Sequence, residues 1–134
     1  MNGQIPGIRE LICYLEDTGI TTCILYGSAA SNRIRAESDI DIAIAGNAPL
    51  TPEKLLNCYL KAVELLKREV DISDLRLAHG LFMKEILTGG EILLNKDPVF
   101  LGRKAIEMMD YQTDLAPGVN AMLKKRLELA IRGK

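Results

Sequence analysis

The chain has no tryptophan, two phenylalanines, four tyrosines and one histidine among 134 residues. A single histidine excludes a two-histidine catalytic dyad and any multi-histidine metal site, so His79 is assigned no role. So few aromatic residues leave little for a stacking platform of the kind that binds single-stranded nucleic acid. Cys13, Cys23 and Cys58 are odd in number and far apart, so they form neither a disulfide framework nor a CxxC pair, and reduced core thiols are expected. No apolar run approaches the roughly 18 residues of a membrane span, and the N-terminus lacks the basic-then-apolar pattern of a secretory signal. A cytoplasmic protein is expected. Seventeen basic residues against eighteen acidic give a net charge of −1, so any site for a polyanion must be local.

With 48% hydrophobic and 26% charged residues, the composition is that of a folded domain, not of a disordered or coiled-coil chain. At this mass, area scaling gives roughly 7,000 Å² folded against roughly 21,500 Å² extended, enough burial for one self-supporting domain over residues 1–134. The hydrophobic pattern alternates between two periods. Ile8, Leu11, Ile12 and Leu15 share a helical face that ends near Gly19. Thr21 to Tyr26 reads as a strand running into the turn Gly27-Ser28, and Asp39 to Ala45 as a second strand of strict alternation. Pro52 suits the first turn of a helix reaching about Arg68, with Leu55, Leu56, Tyr59, Leu60, Val63 and Leu66 as its buried stripe. Val70, Ile72 and Leu75 suggest a third strand with Asp71 turned away from the main core. Residues 78–88 read as a helix, 91–95 as a short strand and 98–113 as a helix. A last helix starts near Pro117 with Leu123, Leu127, Ala130 and Ile131 on one face. Met108, Met109 and Met122 read as core fillers. The fold class is α/β: a small mixed sheet flanked by helices, with helices at the C-terminus.

The chemistry concentrates on the second strand. Residues i and i+2 of a strand project to one face roughly 6.5–7 Å apart, so Asp39 and Asp41 aim two carboxylates at one region. Asp71 joins them if its strand lies alongside. Such anions repel by roughly 2–3 kcal/mol per pair at an effective dielectric near 20, so a counter-charge is required. Oxygen ligands select a hard divalent cation, Mg²⁺ or Mn²⁺, the usual partner of phosphoryl and nucleotidyl displacement. A lone DxD also describes the solvated face of an ordinary strand. Here it follows Gly27-Ser28, whose turn offers backbone N–H groups and a hydroxyl to a phosphate, although Ser28 also suits a helix N-cap. Asp71 is preferred to Asp74 as third carboxylate on strand alternation.

Gly27-Ser28, nine intervening residues, then Ser38-Asp39-Ile40-Asp41 resembles the signature of the DNA polymerase β-type nucleotidyltransferase superfamily. The whole chain is similar to the minimal nucleotidyltransferases (MNT) of MNT/HEPN toxin–antitoxin modules. The resemblance implies that Asp39 and Asp41 bind Mg²⁺, that Asp71 is a metal ligand or general base, and that Gly27, Ser28 and Ser38 serve the nucleotide triphosphate. It further implies an antitoxin that transfers AMP from ATP to a tyrosine of a HEPN ribonuclease toxin, with which it forms a hetero-oligomer. One departure stands out: the family loop reads Gly-Ser-x-Ala-Arg-Gly, whereas this chain has Gly27-Ser28-Ala29-Ala30-Ser31-Asn32. Asn32 can take a left-handed conformation, and Arg33 or Arg35 can replace the missing cation or be solvated loop residues. Two rival readings keep the fold: a weakly active or inactive antitoxin that acts by binding, and an enzyme that modifies a small hydroxylated molecule such as an antibiotic. Basic residues near the C-terminus, Lys124, Lys125, Arg126, Arg132 and Lys134, flank an apolar face, so a docked helix is expected there and no nucleic-acid site.

Overall fold

A computed structural model describes residues 5–27 and 39–111. Among these residues the strands and α-helices follow in the order α1 (Ile8–Asp17), β1 (Thr22–Tyr26), β2 (Ile40–Ala45), α2 (Pro52–Leu66), β3 (Val70–Asp74), α3 (Gly80–Gly89), β4 (Glu91–Asn95) and α4 (Pro98–Tyr111). The strands form one mixed sheet in the order β3-β2-β1-β4. β1 runs antiparallel to both β2 and β4, whereas β2 and β3 are parallel. Parallel neighbours need a long crossover, and α2 supplies it. The expected mixed sheet flanked by helices is therefore present. The expected helix after Pro117 lies outside the described residues.

Period-2 alternation divides the core between the two sheet faces. Cys23, Leu25, Ile40, Ile42 and Ile44 bury with Ile8, Leu11 and Leu15 of α1 and Cys58, Ala62 and Leu66 of α2. Ile24, Tyr26, Ala43 and Ala45 face the opposite side, with Met83 and Ile86 of α3 and Leu101, Met108 and Met109 of α4. Ile40, Ile42 and Ile44 are fully buried, each contributing about 1.5–3 kcal/mol. They hold β2 in register, since a slip by one residue would drive Asp41 into this cluster. Met108 and Met109 fill the core, as expected.

Several local readings are corrected. α2 starts at Pro52 behind Thr51, whose side chain accepts the Lys54 amide hydrogen bond at 3.1 Å. It ends at Leu66 rather than Arg68 because Lys67 adopts a left-handed cap at φ 57°. Its buried line is Cys58, Ala62 and Leu66, while Leu56 and Leu60 are 54% and 53% exposed and Tyr59 is half-buried. Small side chains at 58 and 62 bring the helix close to the sheet, and the bulkier leucines of the neighbouring stripe turn outward. Leu75 is buried in a 3₁₀ turn, Leu75–Leu77, and is not part of β3. The next helix starts at Gly80, not residue 78. Cys13 is exposed, unlike Cys23 and Cys58. Burial, and then the neighbouring Cys58, pushes the Cys23 thiol up to about 12, leaving it protonated and inert.

Candidate active site

The carboxylates lie at one end of the adjacent strands β2 and β3. Asp39 immediately precedes β2 and Asp41 is its second residue. Parallel pairing sets Asp41 directly beside Asp71, with Ile40 beside Val70 and Ile42 beside Ile72. Val70 and Ile72 pack toward α1 and α2, which sends Asp71 to the other face together with Ser73. That face is identified by Tyr26, whose hydroxyl lies 3.4 Å from Ser73 Oγ. Alternation places Asp41 there too, in line with Ala43 and Ala45.

The Asp41 carboxyl feels its neighbours. Burial first, then Asp71, Asp39 and Glu85 in that order, raise the Asp41 carboxyl above its ordinary range. An acid whose folded pKa is raised costs stability once ionised; the cost begins as pH climbs past the unfolded value near 3.9 and is complete above the raised one. The Tm of metal-free Asp41→Asn is accordingly expected to exceed that of the wild type by a margin that grows from pH 4 to pH 7. The gain is at most about 1 kcal/mol, because the site is largely solvent-screened. Thermal unfolding in chelator across this range measures it; a margin that shrinks with rising pH would contradict the coupling.

Gly27 shapes the floor of the site. It closes β1 at φ +75°, a left-handed conformation. A Cβ added there would overlap Asp41 Oδ2 and lie 3.4 Å from its Cγ. The glycine is therefore needed both for the turn and for the space filled by the Asp41 carboxylate. Ser28, Ser38, Arg33 and Arg35, the other residues expected to serve the nucleotide, lie outside the described residues.

Asp74, the alternative third carboxylate, is engaged elsewhere. It is 8% exposed and accepts hydrogen bonds from the Leu50 amide at 2.8 Å and the Arg76 amide at 3.0 Å. Asp74→Ala is expected to destabilise the protein by about 1–3 kcal/mol, since it orphans two partly buried donors. Asp71→Ala, at an exposed position, is expected to stay within about 0.5 kcal/mol. Denaturant titration of the two variants measures the contrast.

Tyr26 and Glu85 were not singled out by the sequence. Tyr26 stands opposite Asp41 in the β1–β2 register, and its ring meets Phe82 edge-on at 5.9 Å. Burial raises its hydroxyl above the ordinary range, against the opposing effect of the Ser73 bond, so it stays neutral beside the carboxylates. Glu85 reaches the same region from α3. The Tyr26 signal was available in principle, because a strand's last residue before a glycine turn must sit at the mouth of the site. Glu85 carried none, since only the packing of α3 brings it there.

The donor set fits a hard divalent cation: it is all oxygen, anionic and mutually repulsive. Among the described residues, no group of three acidic, thiol or imidazole side chains could hold a metal ion on its own.

The polymerase beta nucleotidyltransferase family model matches residues 9–99, from α1 through the start of α4. No curated protein sequence is significantly similar. Among solved structures, a toxin–antitoxin with AMP-PNP superimposes with a TM-score of 0.69 at 22% identity, covering 89% of this chain and 97% of the other. A complex of tri-AMPylated Shewanella oneidensis HEPN toxin with MNT antitoxin gives 0.65 at 21% identity, covering 90% and 96%. The toxin–antitoxin MntA-HepT gives 0.64 at 21%, covering 90% and 97%. At these identities the likeness establishes the fold.

Proposed function

Because the chain belongs to the polymerase beta nucleotidyltransferase family, we propose that it transfers AMP from Mg-ATP to a tyrosine hydroxyl of a partner HEPN toxin and thereby acts as its antitoxin. The observation that carries this reading is the register that sets Asp71 beside Asp41 on the face shared with Tyr26. The similar structures support the partner: one contains AMP-PNP and another an AMPylated HEPN toxin bound to an MNT antitoxin.

Asp39 and Asp41 would hold the divalent cation, with Asp71 as a further ligand or as the base. When bound, the cation neutralises phosphate charge and aligns the triphosphate for in-line displacement. The protein's own groups do the rest. Asp71, exposed at the sheet edge, accepts the proton of the attacking hydroxyl. The new bond forms between that oxygen and the α-phosphorus as the bond to the bridging oxygen breaks, and pyrophosphate leaves. Gly27 leaves the Asp41 carboxylate room to turn toward the triphosphate, and Ser28 and Ser38 complete the phosphate contacts. Tyr26, neutral and hydrogen-bonded with Ser73, adds no further charge to the acidic cluster.

The test uses ATP labelled at the α- or the γ-phosphate. Label from the α-position should pass to the partner while γ-label leaves as pyrophosphate. Transfer of γ-label would mean phosphorylation and would refute the proposal.

A further inference from the structure

A second feature adjoins Asp71 on the outer side of the sheet. Pro52, Leu55, Leu56 and Tyr59 of α2, with Val70, Asp71 and Ile72 of β3, line an open groove of about 360 Å³. Apolar side chains dominate its walls. The Tyr59 hydroxyl donates to Glu69 Oε1 at 2.9 Å, and Asp71 is the one charged residue of the lining. Leu56 and Leu60, one helical turn apart, extend the apolar rim outward and are each more than half exposed. Scattered exposed leucines need no explanation. Leu56 differs because it lines a groove that meets β3 at Asp71, and Leu60 follows it one turn further along the same helix face.

The groove follows a sheet edge. Among the described residues β3 pairs with β2 alone, so its other side presents unpaired backbone donors and acceptors. An extended segment added to such an edge alternates its side chains between the two sheet faces. On β3 those faces differ in chemistry. One carries Val70, Ile72 and the groove; the other carries Asp71 and, next to it, Asp41.

We infer that this groove is the docking site for the acceptor protein, which adds an extended segment to the β3 edge. The hydroxyl-bearing residue lies on the Asp71 face, and its immediate neighbours are apolar and enter the groove against Leu55, Leu56 and Ile72. The inference rests on the AMP-transfer reading and specifies its acceptor. The groove meets the β3 edge at Asp71, so a chain laid along that edge has the groove on one side and the acidic face on the other, which argues for this occupant. A hydroxylated small molecule would leave its polar groups unpaired against these walls, whereas aliphatic side chains of a polypeptide would not.

The experiment uses the full chain co-expressed with its HEPN partner. The photo-cross-linker p-benzoylphenylalanine is introduced at Leu56, with Glu10 on α1 as the control position, and cross-linked peptides are mapped by mass spectrometry. In parallel, the Leu56→Gln, Leu60→Gln double variant, which keeps good helix formers on an exposed face, is compared with the wild type in AMP transfer. Cross-links from position 56 should fall within about three residues of the modified tyrosine, as strand spacing requires. The double variant should raise the KM for the partner at least tenfold and leave the KM for ATP unchanged. Cross-links remote from that tyrosine, or an unchanged KM for the partner, overturn the docking site and leave AMP transfer standing. A wild type that binds its partner without modifying it sinks the transfer reading instead. The cross-link then decides the groove alone: contact with a tyrosine-bearing segment supports it, and absence of contact overturns it.

Discussion

Replacing Asp39 and Asp41 together by asparagine is expected to lower the rate of AMP transfer at least a thousandfold while leaving the fold intact. Asparagine keeps the shape of each side chain but removes two negative charges, and with them the ability to hold a divalent cation against the triphosphate. A cation at the reacting phosphate stabilises developing charge by several kcal/mol, and about 4 kcal/mol corresponds to three orders of magnitude in rate. The fold should survive because β2 is anchored by Ile40, Ile42 and Ile44, which point into the opposite cluster. Relief of the repulsion that raises the Asp41 carboxyl should make the metal-free variant slightly more stable. Initial rates with saturating partner, together with circular dichroism, give both quantities. The same variant separates catalysis from binding: an antitoxin that works by contact alone would still neutralise its partner when carrying both asparagines.

Gly27→Val should be nearly as damaging by a different route. An L-residue at φ +75° costs about 1–2 kcal/mol, and the new Cβ falls on Asp41 Oδ2. The carboxylate must swing away from the position it shares with Asp71. Displacement of a catalytic group by about 1 Å can cost a hundredfold, so a loss of that order is expected, with stability lower by about 1–3 kcal/mol. Gly89→Ala is the matched control, since a Cβ at the end of α3 meets nothing within 4 Å. It should leave the rate unchanged. Parallel transfer assays and melts of the two variants check the contrast, and wild-type rates from Gly27→Val would remove the glycine from the account.

The parts of this site that could be read from sequence are those governed by strand alternation. Asp39-Ile40-Asp41 announces its own geometry, because a fully apolar i, i+2 series on one face forces the carboxylates to the other. The same logic separates Asp71 from Asp74: Asp71 pairs with Asp41 in the β2–β3 register, while Asp74 is tied to the Leu50 and Arg76 amides. Hydrophobicity alone misplaced part of the α2 face: Leu66 is buried and Leu55 and Val63 pack against the core as expected, but Leu56 and Leu60 turn outward while the small Cys58 and Ala62 make the close approach to the sheet. One of the outward leucines, Leu56, lines the groove. Glu85 was illegible for another reason: its place depends on how α3 packs over the sheet, and no local pattern encodes that distance from Asp41. Ser28 and Ser38 were chosen from a motif, and they remain part of the proposal.

The central claim is that these carboxylates drive adenylyl transfer to a partner protein. Intact-mass measurement of the HEPN partner after incubation with Mg-ATP tests it most directly, with wild type compared to Asp41→Asn. The account predicts that the partner gains the mass of one or more AMP groups on tyrosine with the wild type alone. An unmodified partner that is nonetheless inhibited, or equal modification by both proteins, would contradict it.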